Sequence, residues 1–164
     1  MVSPETLRRF PLFAHQSEYM LKEIAMISEE IELEPDKWLF HEKEEASKLC
    51  LVLEGGIALT MYLYLNGRGQ NISTTTPLRQ GEVLGWSAVV KPYIYTLGAQ
   101  AVEKSRVISI DAAPLRTLLD DNPGHGYHFI KNISEIIAER LLYKYIQMLS
   151  MVVDAPRKPL KNPA

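Results

Sequence analysis

Five consecutive residues, Gly81, Glu82, Val83, Leu84 and Gly85, carry the most specific chemical signal in the chain. A glycine at each end lets the backbone take conformations closed to other residues and come close to a bound group. The carboxylate of Glu82 between them accepts hydrogen bonds and suits a sugar hydroxyl. A Gly-Glu-x-x-Gly segment also serves as a plain turn after a strand, so its meaning depends on its surroundings. It falls late in a strand-rich region, and one long apolar-striped helix follows. In that setting it reads as a ligand cradle, with Trp86 behind it either lining the pocket or filling the core.

No catalytic constellation accompanies the cradle. His125 and His128 stand three apart at a helix start with no third ligand nearby, and His15 and His41 are isolated, so no metal site is expected. A metal enzyme on a jelly roll would need a His/Glu set on adjacent strands, and of the four histidines only His41 falls in a strand. Glu42, Glu44 and Glu45 form a solvated turn. Ser87 lacks the Gly-x-Ser-x-Gly elbow of a hydrolase. The expectation is a protein that is not an enzyme and carries no cofactor.

The elements that must position the cradle begin with Ser3-Pro4, an N-cap hydroxyl followed by a proline in the first helical position. Phe10, Leu12 and Phe13 close that short helix around Pro11, and Ser17 begins a second, in which Tyr19, Met20, Ile24 and Ile27 recur at helical spacing. Ile31 and Leu33 separated by glutamates start a period of two. Extended segments continue through Trp38–His41, Leu49–Leu53 and Ile57–Leu65. Gly55-Gly56 bends the chain, Asn66-Gly67 is the best hairpin signal, and Ile72 to Thr76 reads as the return strand. Beyond the cradle, Thr96–Val102 and Arg106–Ile110 give two more strands, the Asp111 carboxylate caps a helix, and Asn122-Pro123-Gly124 ends it. Many short strands at near-regular spacing argue for a double-sheet jelly roll. From about Gly126 to Asp154, Ile130, Ile133, Ile137, Leu141, Met148 and Val152 stripe one long helix that outruns a compact domain and wants a partner.

Composition agrees with this picture. A length of 164 residues suits one domain with an appendage, and 46% hydrophobic with 23% charged residues is the balance of a packed globular chain. A net charge of −2 exerts no pull on nucleic acid, and Arg157, Lys158 and Lys161 sit in a proline-broken end. The single Cys50 excludes an internal disulfide and alternates with Leu49 and Leu51 as a small buried hydrophobe. No signal peptide and no membrane-spanning apolar run appears, so the cytoplasm is the expected compartment.

The order of these pieces resembles a known family. Leu7-Arg8-Arg9-Phe10-Pro11-Leu12-Phe13, Leu51-Val52-Leu53-Glu54-Gly55, Gly81-Glu82-Val83-Leu84-Gly85 and Ala138-Glu139-Arg140-Leu141 together make the chain similar to a cyclic nucleotide-binding domain of the cAMP receptor type. The resemblance implies a mainly β fold, a jelly roll flanked by helices, over residues 1–125 and a dimerisation helix over 126–154, with 155–164 as a disordered tail. It also implies a phosphate-binding cassette, in which an Arg-Ser-Ala or Arg-Thr-Ala triplet some ten residues past the Gly-Glu pair holds the cyclic phosphate.

Here that stretch reads Tyr93-Ile94-Tyr95-Thr96-Leu97. Thr96 keeps the threonine, and Tyr95, which preserves the Arg-Thr order, takes the arginine's place ahead of Ile94. Lys91 is the only basic residue between Gly85 and Lys104. Without the guanidinium, cAMP and cGMP are expected to bind weakly or not at all. The resulting expectation is a regulatory sensor whose ligand site is Gly81, Glu82, Val83, Leu84, Gly85, Tyr95 and Thr96. Its partners are a small molecule, with nucleotides among the candidates, a second copy through the last helix, and a protein effector. Family regulators carry a helix-turn-helix domain after that helix, whereas this chain ends about ten residues past it, so direct DNA binding is not expected. The other reading is a dimeric interaction scaffold whose barrel binds no small ligand.

Overall fold

The computed structural model describes residues 2–65, 68–73 and 77–153. The Asn66-Gly67 turn, the end of the Ile72–Thr76 segment and the expected tail lie outside the described residues.

Helix α1 (Pro4–Arg8) starts as its sequence dictates, with Ser3 Oγ accepting from the Thr6 amide and Pro4 at the first position. A 3-10 turn, Pro11–Phe13, leads to α2 (Glu18–Met26), which Ser17 caps by accepting from the Met20 amide. Met20, Leu21 and Ile24 are buried, but Tyr19 is exposed. It stands one residue, about 100°, round the helix from Met20, which is far enough to leave the buried face.

Among the described residues eight strands follow: β1 (Ser28–Leu33), β2 (Trp38–Phe40), β3 (Lys48–Glu54), β4 (Ile57–Leu65), β5 (Arg68–Ser73), β6 (Val83–Leu84), β7 (Gly98–Ala101) and β8 (Ser105–Asp111). They form two four-stranded antiparallel sheets, β1-β8-β3-β6 and β2-β7-β4-β5, the jelly-roll arrangement expected from the strand spacing. The return strand begins at Arg68, earlier than the β-branched run indicates. His41 lies just past the end of β2 and stacks on Trp38 instead of entering a strand. Leu49, Cys50, Leu51 and Val52 are consecutive and fully buried, so β3 is covered on both faces. Burial raises the Cys50 thiol to about 12, in keeping with a structural cysteine.

After β8 come α3 (Ala112–Asp121) and α4 (Pro123–Val153). Asp111 occupies the N-cap position of α3 without capping it, because its carboxylate is taken by Lys48 Nζ at 2.6 Å. Helix α4 starts at Pro123, where a missing N–H costs nothing, rather than at Gly126. Its apolar stripe divides: Ile133 is buried with Phe129, Ile137 is half-buried, and Ile130, Leu141 and Met148 are exposed. Asn132 Nδ2 donates to the carbonyls of Leu12 and Ala14, and Gln16 Nε2 to that of His125, fastening the N-terminal turns to the start of α4. Among the described residues no helix is long and apolar enough to cross a membrane.

Candidate functional site

Both glycines of the cassette have positive φ, +90° at Gly81 and +75° at Gly85, a region that side chains strain to enter. At Gly85 space is short as well, since a Cβ would lie 2.9 Å from the Lys48 carbonyl oxygen. Between them the chain is sewn to β3. The Gly81 amide donates to the Val52 carbonyl, the Val52 amide donates to the Glu82 carbonyl, and β6 pairs Val83 with Leu51 and Leu84 with Cys50. Val83 and Leu84 are buried, so they anchor the cassette to the core. The left-handed Gly85 then turns the chain into a 3-10 segment, Trp86–Ala88.

Glu82 is engaged within the protein. One carboxylate oxygen accepts from the Arg79 amide at 2.7 Å, and the other lies 3.6 Å from Arg140 Nη2. Arg140 comes from α4. Its Nη2 donates to the Val83 carbonyl at 2.8 Å, its guanidinium lies 4.6 Å above the Trp86 ring, and its buried Nη1 has no hydrogen-bond partner among the described residues. Burial lowers its pKa, and Glu82 partly offsets that. A cation therefore does stand at the cassette, brought by a helix instead of the cassette's own return. Sequence reasoning quoted Arg140 but gave it no place in the pocket. The available signal was its phase, four residues after Ile136 and seven after the buried Ile133, which sets it on the barrel-facing side of α4.

Tyr95 points inward and Ile94 outward, as strand-like alternation requires. The Tyr95 ring stacks on Phe40 with centroids 3.8 Å apart, and its hydroxyl donates to the Lys48 carbonyl while accepting from the Lys48 amide. Burial raises the phenol to about 12. Beneath the cassette a cavity of only about 30 Å³ remains, lined by Phe40, Leu84, Trp86, Tyr95, Thr96 and Arg140. Larger hollows lie at the mouth, one of about 320 Å³ beside Gly81, Ile136 and Tyr143 and one of about 290 Å³ beside Leu59, Pro77 and Lys144. Glu82 and Arg140 line both. Lys91 is exposed and lines none of these spaces, and Arg79 is exposed and paired with Glu103.

Elsewhere, the chain brings His15 to His128, with ring centroids 5.3 Å apart, although nothing in their spacing links them. No group of three metal-ligating side chains occurs among the described residues.

Comparison with known proteins fits this geometry. The family model for the cyclic nucleotide-binding domain matches residues 30–122. A protein from Geobacter metallireducens GS-15, described as cyclic nucleotide-binding, is 33% identical over 86% of this chain and 99% of its own, with a TM-score of 0.75. The sensor domain of the transcriptional regulator DNR from Pseudomonas aeruginosa shares the fold at 18% identity, over 81% of this chain and 91% of its own, with a TM-score of 0.65. The Thermus thermophilus catabolite activator protein does so at 18% identity, over 87% of this chain and 63% of its own, with a TM-score of 0.63. No curated protein matches the chain. With the jelly roll, the Gly81–Gly85 cassette and the matched residues in agreement, the chain belongs to the cyclic nucleotide-binding domain family.

Proposed function

We propose that this chain is a non-enzymatic regulatory module that senses a small ligand at the Gly81–Gly85 cassette and holds cAMP and cGMP weakly or not at all. One observation carries the proposal: the space beneath the cassette is only about 30 Å³, with the Tyr95 ring, stacked on Phe40, in its lining. That is room for about one water molecule; the roughly 300–1,000 Å³ that ligand pockets usually offer is approached at this site only by the hollows at the mouth, of about 320 and 290 Å³. The nearby cation, Arg140, is turned toward Glu82 and the Val83 carbonyl, so an incoming phosphate must compete for it.

In this reading Gly81 and Gly85 shape the cassette, Val83 and Leu84 anchor it, Glu82 and Thr96 face the ligand, and Tyr95 closes the floor. Arg140 Nη1 supplies an unused donor. Because Arg140 belongs to α4, an anion that draws it away from Glu82 pulls on the helix whose exposed residues Ile130, Leu141 and Met148 form the seam of a homodimer. A protein effector then reads the change in the dimer. The small cavity also favours a second reading, a dimeric scaffold whose barrel binds no ligand.

A thermal-shift screen of cyclic nucleotides, linear nucleotides and small anions separates the two, since a specific ligand raises the melting temperature by mass action. The sensor reading expects one anion to stabilise the wild type and not Arg140→Gln. Stabilisation by none favours the scaffold, and strong stabilisation by micromolar cAMP would overturn the claim of weak binding.

A further inference from the structure

A separate hollow of about 310 Å³ shares no lining residue with the spaces around the cassette. It lies between the loop that leaves the cassette (Val89, Tyr93), α3 (Arg116, Leu119, Asp120) and the start of α4 (Ile130). Its volume falls within the range of small-molecule pockets. The two helices meet closely at its edge, where a Cβ on Gly126 would lie 2.7 Å from the Leu119 carbonyl oxygen.

Arg116 is oriented before any ligand arrives. Its Nη1 donates to the Ala88 carbonyl at 2.6 Å, and its guanidinium lies 4.3 Å from the centre of the Tyr93 ring. That bond uses one N–H, and the others bond to no described residue, so they are free for a carboxylate. Asp120 stands four residues on, along the same face of α3, and forms no ion pair among the described residues, with Arg116 included. The rest of the wall is apolar, chiefly Val89, Leu119 and Ile130. A plain anion would gain Arg116 but be repelled by Asp120, and a plain cation would meet the reverse. A ligand with both charges satisfies both groups and leaves neither desolvated without a partner. Residues four apart on a helix have Cβ atoms about 5–6 Å apart, so the two ligand charges must also sit close together, as they do on a single α-carbon. Asp120 lies in the last turn of α3, where the helix dipole favours the positive group as well.

We propose that this hollow is a second ligand site, which takes a free α-amino acid with an apolar side chain. The carboxylate of the ligand meets Arg116, its ammonium meets Asp120, and its side chain lies against Val89, Leu119 and Ile130. Arg116 already ties α3 to the loop that leaves the cassette, so an occupied site draws that loop, α3 and the first turns of α4 together. Ile130 also belongs to the homodimer seam proposed above, but both charged anchors lie on α3, and the inference does not depend on that dimer.

Calorimetric titration of the full chain with L-valine, L-leucine and L-phenylalanine tests the site, with isocaproate and isoamylamine as the leucine skeleton lacking one charge each. At least one of the amino acids should bind saturably at millimolar concentration or below. Each single-charge analogue should bind roughly tenfold more weakly than leucine or worse, and Arg116→Gln and Asp120→Asn should each weaken amino-acid binding by a similar factor. Neither residue lines the cassette's spaces, so the outcome is separate from whatever the cassette binds. No saturable heat with any of the three amino acids overturns the proposal. Equal binding of isocaproate or isoamylamine also overturns it, since one charge would then suffice. Asp120 is exposed, so its asparagine variant should keep the fold even where loss of Arg116 loosens the loop, and unchanged binding in that variant places the amino acid elsewhere.

Discussion

From Phe129 to Arg140, α4 lies against the N-terminal turn, α3 and finally the cassette, while from Leu141 to Ser150 similar apolar residues stand more than half exposed at Leu141, Leu142, Ile146 and Leu149. Phe129 and Ile133 have their partners within the chain. The distal residues do not. The difference teaches that one hydrophobic stripe can be divided: the proximal half stabilises the monomer, and the distal half is left exposed, where the homodimer proposed above would use it. Arg140 sits at the border, on the last turn that reaches the cassette.

Truncating each half should break or sharpen this contrast. Phe129→Ala should cost about 3–5 kcal/mol of folding stability in urea titrations, the usual range for emptying a buried aromatic site. Leu142→Ala should stay within about 0.5 kcal/mol when measured at concentrations low enough to separate the chains. Similar costs at the two positions would erase the distinction.

Self-association should respond in the opposite way. Leu141→Glu with Met148→Glu should leave single chains with an unchanged barrel, because each buried apolar side chain contributes about 1.5–3 kcal/mol, roughly a tenfold to hundredfold change in affinity. Sedimentation at micromolar concentration checks it. A wild type that is already monomeric there would remove the dimer.

The cassette floor offers a smaller effect. Tyr95→Phe keeps the ring on Phe40 but deprives the Lys48 amide and carbonyl of their partner, at about 1–3 kcal/mol. The fold prefers the neutral phenol, whose pKa is raised from 10.0 to about 12. Its contribution is therefore complete below pH 10 and is lost as pH climbs through about 12. Cys50, raised from 9.0 to about 12, acts in the same direction, so Tyr95→Phe should reduce the alkaline loss of stability without abolishing it. An unchanged alkaline limb in pH-dependent melting would count against the clasp.

Smallest of all should be the coupling between Glu82 and Arg140. At 3.6 Å, with the Glu82 side chain 42% exposed, the pair should be worth no more than about 1 kcal/mol in a double-mutant cycle. A larger value would make the pair a fixed structural element instead of one that a ligand can open.

The jelly roll was legible in the sequence because its signals are local: hydroxyl caps at Ser3 and Ser17, a period of two in the strands, and glycines where the cassette turns. Alternation lets only one of Ile94 and Tyr95 face inward, and the Arg-Thr order implied by the resemblance pointed to Tyr95. What escaped was set by tertiary contacts. Asp111 prefers Lys48 to its own helix end, His15 meets His128 across the fold, and the stripe on α4 divides only when the fold buries Ile133. The cassette's cation was sought some ten residues past the Gly-Glu pair, in a stretch where the chain supplies Tyr95. It arrives from Arg140, far along the chain, and only helical phase relative to Ile133 and Ile136 pointed to it.

Calorimetric titration of cAMP and cGMP into the wild-type protein tests the central claim most directly. A cassette closed by Tyr95, with its cation facing Glu82, should lose the charge-assisted contribution of about 1.5–3 kcal/mol and bind roughly tenfold to hundredfold more weakly than an open, arginine-bearing site. The expected result is no saturable heat at micromolar nucleotide. A low-micromolar dissociation constant for either nucleotide would contradict the account, because it would require the Tyr95 floor and the Arg140 guanidinium to yield to the ligand at little cost.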